Sequence, residues 1–132
     1  MTTRRWRWHG LAASAVILAA AAAPLAAQQR PDSYGAIAYS RKTGAWGNVY
    51  GENSADDAKQ KALSFCGRRA DDCTVVASFS NTCAAVAVAQ ATGATFVVTN
   101  EKRGIAETQA RLACTQQNSS GCRVASSVCA QR

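Results

Sequence analysis

Ala36-Ile37-Ala38-Tyr39, followed by Thr43-Gly44-Ala45, recurs farther along the chain as Ala85-Val86-Ala87-Val88, followed by Thr92-Gly93-Ala94. Downstream of each run the likeness continues. Ala58, Ala62 and Cys66 recur as Ala106, Ala110 and Cys114, and Cys73-Thr74-Val75 with Cys83 matches Cys122-Arg123-Val124 with Cys129. The offset stays near about 48 residues throughout. Ordered self-similarity at a fixed period marks a repeated structural unit. The chain therefore reads as two tandem copies, about 34–82 and 83–132, within a single cysteine-rich domain spanning 34–132.

Each copy follows one pattern. Tyr34–Arg41 and Ala45–Gly51 flank Thr43-Gly44 as two short strands, and Cys83–Gln90 and Ala94–Asn100 flank Thr92-Gly93 in the same way. A two-residue turn would force the β-branched threonine to positive φ, so a three-residue loop with only the glycine left-handed fits better. A helix follows. Ser54 caps the first, with Asp57 three residues on to return the bond and Asp56 beside the positive helix end. Ala55, Ala58, Ala62 and Phe65 fall near one helical face, and Cys66-Gly67 is expected to end the helix in a left-handed stop. In the second copy Glu107 stands in the first turn, while Ala106, Ala110 and Ala113 line a face that Cys114 closes. So much alanine implies helices lying close to the sheet. Third strands, Cys73–Ser80 and Cys122–Cys129, complete the units. The expected fold is α+β: a tandem duplication of a hairpin–helix–strand (ββαβ) unit, mainly antiparallel sheet with two helices, stapled by disulfides.

The chain's beginning speaks of compartment. Arg4, Arg5 and Arg7 precede an apolar run from Leu11 to Ala23, and Pro24-Leu25-Ala26-Ala27 supplies small residues for cleavage. This is the order of a secretory signal peptide over 1–27, too short for a membrane span. A short linker, 28–33, leads into the domain. No second apolar run of spanning length follows, so no transmembrane span is expected after signal removal. The product is expected to be exported, periplasmic or extracellular. Cleavage removes His9, the sole histidine, together with Met1, Trp6 and Trp8, leaving Trp46 alone of its kind. The net charge falls from +7 to about +4, a mildly basic surface without the stripe of a specific nucleic-acid binder.

All six cysteines, Cys66, Cys73, Cys83, Cys114, Cys122 and Cys129, remain. An even count in a small exported chain reads as a disulfide framework, for which six cysteines allow about fifteen pairings. The simplest choice that treats the copies alike joins Cys66 to Cys73 and Cys114 to Cys122. Cys83 and Cys129, read as equivalent positions, then bridge the halves. The spacings lack paired C-x-x-C and no histidine assists, which argues against a metal site.

Tyr34-Gly35-Ala36-Ile37-Ala38, Thr43-Gly44-Ala45-Trp46-Gly47, the alanine-rich helix into Cys66, Cys73-Thr74-Val75-Val76 and Phe79-Ser80-Asn81-Thr82-Cys83-Ala84-Ala85 together form a recognisable set. On these motifs the chain, from Tyr34 to Cys129, resembles a family of small secreted bacterial proteins that carries only a domain-of-unknown-function label. Actinobacteria and proteobacteria both have members. The resemblance implies export and a cysteine-bridged domain, and it implies no reaction, cofactor or substrate.

Function is approached by exclusion. Without histidine, Ser-His and Cys-His machinery is absent, and paired cysteines leave no thiolate nucleophile. Asp56-Asp57 and Asp71-Asp72 are each adjacent in sequence, better suited to a helix cap and a polar loop than to two carboxyls facing one bond. No S-x-x-K narrows a Ser–Lys dyad and no Gly-rich phosphate loop occurs. The expectation is a secreted, non-catalytic binding module without cofactor or metal, its partner a protein or envelope component. The alternatives are an inhibitor or immunity-type protein against a secreted hydrolase, or a small hydrolase working without histidine. The copies differ most in the first hairpin. Tyr39, Arg41, Lys42, Trp46 and Tyr50 stand where the second copy has Val88, Gln90, Ala91, Thr95 and Thr99. Aromatic residues and arginine dominate interface energetics, which makes these five the candidate binding residues, with Arg41 and Trp46 as anchors. The competing reading places Trp46 and the tyrosines in the core.

The cysteine count yields the first test. The oxidised domain should show no free thiol under denaturing conditions, and its intact mass should be lower than the sequence mass by six hydrogens. Removing Cys83 and Cys129 together should cost about 2–5 kcal/mol, measured by urea unfolding.

Overall fold

In a computed structural model describing residues 29–117 and 121–131, the chain forms eight elements. The signal segment, 1–27, lies outside the described residues. The first unit contains β1 (Tyr34–Tyr39), β2 (Trp46–Glu52), α1 (Ala55–Gly67) and β3 (Thr74–Ser80). The second contains β4 (Thr82–Ala89), β5 (Thr95–Asn100), α2 (Arg103–Gln117) and β6 (Cys122–Ala130). Both units make a three-stranded antiparallel sheet with the first strand in the middle, in the orders β2-β1-β3 and β5-β4-β6. Both units share the ββαβ order of elements and the same strand order. The strands divide into two sheets stacked face to face, with α1 covering the outside of one and α2 the outside of the other.

Side-chain alternation sorts residues between layers. On β1, Ile37 and Tyr39 enter the core between the sheets, whereas Ala36 and Ala38 face α1. On β4, Ala84, Val86 and Val88 enter that same core, whereas Ala85, Ala87 and Ala89 face α2. Phe79, Ala77, Val128 and Ala130 complete the inter-sheet layer. The helices contribute Ala58, Ala62 and Cys66, and Ala106, Ala110 and Cys114, a strict i, i+4 stripe. Phe65 and Ala113 fall off this stripe. Phe65 is 39% exposed, so the helical face lies one residue farther on than the sequence spacing suggested. Glu107 sits one turn inside α2, which begins at Arg103, and its carboxylate accepts a hydrogen bond from the Ser127 hydroxyl.

Two glycines set close approaches. A Cβ on Gly47 would collide with the Ala62 carbonyl and the Cys66 amide of α1, so β2 and the helix meet backbone to backbone there. A Cβ on Gly35 would enter the Phe79 ring lying across from it in register. The second unit answers the same pairing with Ala84 opposite Val128, a larger residue against a smaller one.

Both hairpins close with four loop residues, one more than the expected three. Ser40 N–H donates to the Ala45 carbonyl at 2.8 Å and Gly44 N–H to the Ser40 carbonyl at 2.9 Å. Ala89 N–H donates to the Ala94 carbonyl at 3.0 Å and Gly93 N–H to the Ala89 carbonyl at 2.8 Å. Gly44 and Gly93 take φ of 74° and 70°, and the threonines before them avoid positive φ as expected. Each threonine hydroxyl instead accepts the N–H two residues on, at 3.2 Å in both copies.

Ser54 caps α1 as expected, its hydroxyl accepting from Asp57 N–H at 3.1 Å. The other end departs from expectation. Gly67 is the last helical residue with no positive φ, and Arg68 continues right-handed at φ −68°. The chain leaves α1 through a turn in which Arg69 N–H donates to the Cys66 carbonyl, and the Cys66–Cys73 bridge closes that loop. The stop thus needs no left-handed residue.

The three disulfides are Cys66–Cys73, Cys114–Cys122 and Cys83–Cys129. The pairing agrees with the symmetric choice, but Cys83–Cys129 does not join the halves. Cys83 opens β4 and Cys129 lies near the end of β6, directly opposite each other in register within the second sheet. Their counterparts in the first unit are Tyr34 and Ser80, also opposite each other. The two cysteines are therefore partners across strands, not equivalent positions. Only Asn81, at φ 56°, separates β3 from β4. Its side-chain oxygen accepts from Ser33 N–H at 3.0 Å while its own N–H donates back to the Ser33 carbonyl at 3.0 Å.

Two glycine substitutions separate these geometric roles. Gly67→Ala adds a methyl into open space at a helical φ and should raise stability by about 0.5–1 kcal/mol. Gly47→Ala should lower it by about 1–3 kcal/mol through overpacking against α1. Urea denaturation measures both, and a destabilising Gly67→Ala would restore the left-handed stop.

Candidate functional site

The five candidate residues fall into two separate regions. Tyr39 ends β1 and is 3% exposed, its ring inside the inter-sheet core. Arg41 and Lys42 occupy the tip of the first hairpin, where the Arg41 guanidinium reaches the other unit and its Nη2 donates to the Thr92 carbonyl at 3.1 Å. Trp46 and Tyr50 lie on edge strand β2 and share one face with Asn48, as strand alternation requires. Asn48 Nδ2 donates to Ser126 Oγ of β6 at 2.9 Å, tying the edge to the other sheet. Tyr50 is 66% exposed.

Trp46 is 36% exposed, neither sealed in the core nor free of it. It lines a shallow depression of about 230 Å³ with Phe65, Arg68 and Arg69, where the end of α1 crosses the start of β2. The Arg69 guanidinium carbon stands 6.0 Å from the centre of the Trp46 ring, and that of Arg68 stands 4.8 Å over Phe65. Gly47 forms the floor, since the absence of a side chain there lets α1 bring Phe65 beside Trp46. Among the described ion pairs neither arginine takes part; those pairs are Lys59–Asp56 and Lys61–Glu52. Sequence reasoning placed Phe65 in the helix core and did not single out Arg68 and Arg69. The adjacent arginines directly after Cys66-Gly67 were the available signal.

The second region is a depression of about 450 Å³ where the two hairpin tips meet, lined by Arg41, Lys42, Gln90, Arg123 and the end of Tyr39. Arg123 also escaped the sequence reading, because nothing local shows that β6 returns to the first hairpin.

The carboxylate pairs have structural work. Asp56 and Asp57 sit in the first turn of α1. Asp72 braces the first hairpin: Oδ1 accepts from the Ser40 hydroxyl at 2.5 Å and Oδ2 from Lys42 N–H at 3.2 Å. These bonds hold the Asp72 carboxyl below its ordinary pKa, the Ser40 hydrogen bond acting most strongly, partial burial opposing it, and Lys42 adding backbone and charge attraction. A depressed carboxylate pKa makes this contribution to stability fully present above the unfolded-state value and lost as pH falls through the folded one. Ser40→Ala should therefore raise the Asp72 titration midpoint, followed by NMR of its carboxyl carbon. Asp72→Asn should remove the acid-side loss assigned to this group.

No curated protein matches this sequence. Among solved structures, the NMR structure of Rv1813c from Mycobacterium tuberculosis is similar, with 26% sequence identity over 97% of this chain and 99% of that one, at a TM-score of 0.52. A model of the family described as Domain of unknown function (DUF4189) matches residues 34–129, from the first residue of β1 to the bridged Cys129 of β6. With the match covering both units and all three disulfides, the chain belongs to the DUF4189 family of domains of unknown function.

Proposed function

We propose that this protein is an exported, non-catalytic binding module whose partner-facing surface is the Trp46–Phe65–Arg68–Arg69 depression. The observation that carries the reading is the assembly on one unit of two exposed aromatic rings and two arginines that take part in none of the described ion pairs, while the framework beneath is shared. The second unit places Thr95 where Trp46 stands. Rings that shed water and guanidiniums that fork onto carboxylates suit a protein partner presenting an apolar patch beside acidic side chains. Such an occupant complements the positive charge of the domain. Export is supported by the arginine-headed apolar leader and by three disulfides. Among the described residues no helix is long and apolar enough to cross a membrane. The non-enzymatic reading draws on the residues of the depression, which bring neither a nucleophile with a base nor a carboxylate pair.

Trp46→Ala and Arg69→Ala should each abolish capture of the partner from periplasm and culture medium. The melting temperature should shift by less than about 5 °C, the change that roughly 1 kcal/mol produces in a domain of this size. Equal capture by wild type and both variants would overturn the surface assignment.

A further inference from the structure

We infer that the depression between the two hairpin tips is a second ligand site, independent of the partner surface, and that it takes a phosphorylated sugar. Among the described residues its lining holds three cationic side chains, Arg41, Lys42 and Arg123, and no carboxylate. Asp72, which braces the first hairpin, has both oxygens engaged by Ser40 and by the Lys42 amide. Arg41 and Lys42 come from the first unit and Arg123 from the second, so the site exists only because the units are joined.

Each tip glycine sits beneath an arginine. The Arg123 guanidinium lies 3.6 Å from the position of a Cβ on Gly44, and Arg41 Nε lies 3.6 Å from that position on Gly93. Left-handed glycines keep both guanidiniums close over bare backbone. Arg41 is already held in place by its bond to the Thr92 carbonyl.

Tyr39 adds a hydrogen-bond donor to the depression. The residue is 97% buried, but its hydroxyl is not among the buried atoms: it reaches the open depression beside Gly44. There it can donate to an occupant of the depression.

Two guanidiniums, an ammonium and a phenol donor lining one depression match a phosphate dianion, which offers three acceptor oxygens. The volume, about 450 Å³, falls in the range of small-molecule sites and exceeds the need of a bare ion. Gln90 and the Thr92 hydroxyl side of the loop offer hydrogen bonds to a polyhydroxylated body.

The experiment is a titration of the oxidised domain with glucose 6-phosphate, followed by amide NMR. Saturable shifts are expected at Gly44, Gly93 and Arg123. Glucose should produce none, and inorganic phosphate should bind more weakly. Lys42→Gln and Arg123→Gln should each weaken binding about tenfold, the effect of losing one charge-assisted contact. Tyr39→Phe, which preserves the core ring, should weaken it several-fold with the melting temperature unchanged. Trp46→Ala should leave this binding intact, separating the site from the partner surface. A phosphorylated mannan compared at equal phosphate concentration distinguishes the end group of a glycan, which binds tighter, from a free sugar phosphate, and either result keeps the assignment. Absence of saturable shifts up to about 10 mM, undiminished binding by the Lys42→Gln/Arg123→Gln double variant, or equal affinity for inorganic phosphate would overturn it.

Discussion

Burial of β1 and β4 on both faces governs this molecule. Each central strand has a helix on one side and the opposite sheet on the other, and neither face meets water. From this follows the division of residue sizes. The helix-facing positions are nearly all alanine, so the helices press close to the sheets, and the inter-sheet positions carry Ile37, Tyr39, Phe79, Val86, Val88 and Val128. Exchanging the two sets would overfill one layer and leave voids in the other, and each direction of error destabilises a core.

Alanine also limits how much burial the outer layers contribute. A buried methyl contributes about 0.8 kcal/mol, whereas a buried valine or phenylalanine contributes about 1.5–3 kcal/mol. The disulfides compensate where the cores are thinnest. Cys66 and Cys114 lie in the helix–sheet layers themselves, bridged to residues 7 and 8 positions on. Loops of that size restrict the unfolded chain by about 2.5 kcal/mol each, and the longer Cys83–Cys129 loop, with a separation of 46, by about 4 kcal/mol. The first unit lacks the third kind of bridge and has Tyr34 opposite Ser80 in its place.

The duplication, the strand and helix elements and the cysteine pairs were legible because repetition and cysteine spacing are properties of the chain itself. The buried faces were not. A strand covered on both sides shows no polar alternation, and Thr82–Ala89 reads as a continuous apolar run in which either face could point inward. The matching of Cys83 with Cys129 failed for a related reason. Each follows a Cys-x-Val strand in sequence, yet cross-strand register, which no local pattern encodes, sets them opposite each other. Gly67 looked like a left-handed stop because glycine commonly serves as one, whereas the bridge from Cys66 ends the helix by other means. The candidate residues were partly visible for the same reasons. Contrast between copies pointed to the first hairpin, but only the packing of α1 onto Gly47 brings Phe65 to Trp46, and only the return of β6 brings Arg123 to Arg41.

The stacking of the two sheets pairs elements reciprocally: β2 lies against β6, its counterpart β5 lies against β3, and equivalent strand positions Ile37 and Val86 share one core. This is the arrangement of a two-fold symmetric dimer fused into one polypeptide. In a true homodimer every substitution appears twice, so a binding residue gained on one face is forced on the other and must be tolerated in both. Fusion through Asn81 removes that coupling. One half can carry tryptophan and paired arginines at its rim while the other has threonine and glutamine, and any ligand held across the seam meets two chemically different lips. The molecule is, in effect, a heterodimer encoded by a single gene, with the stoichiometry of its halves guaranteed.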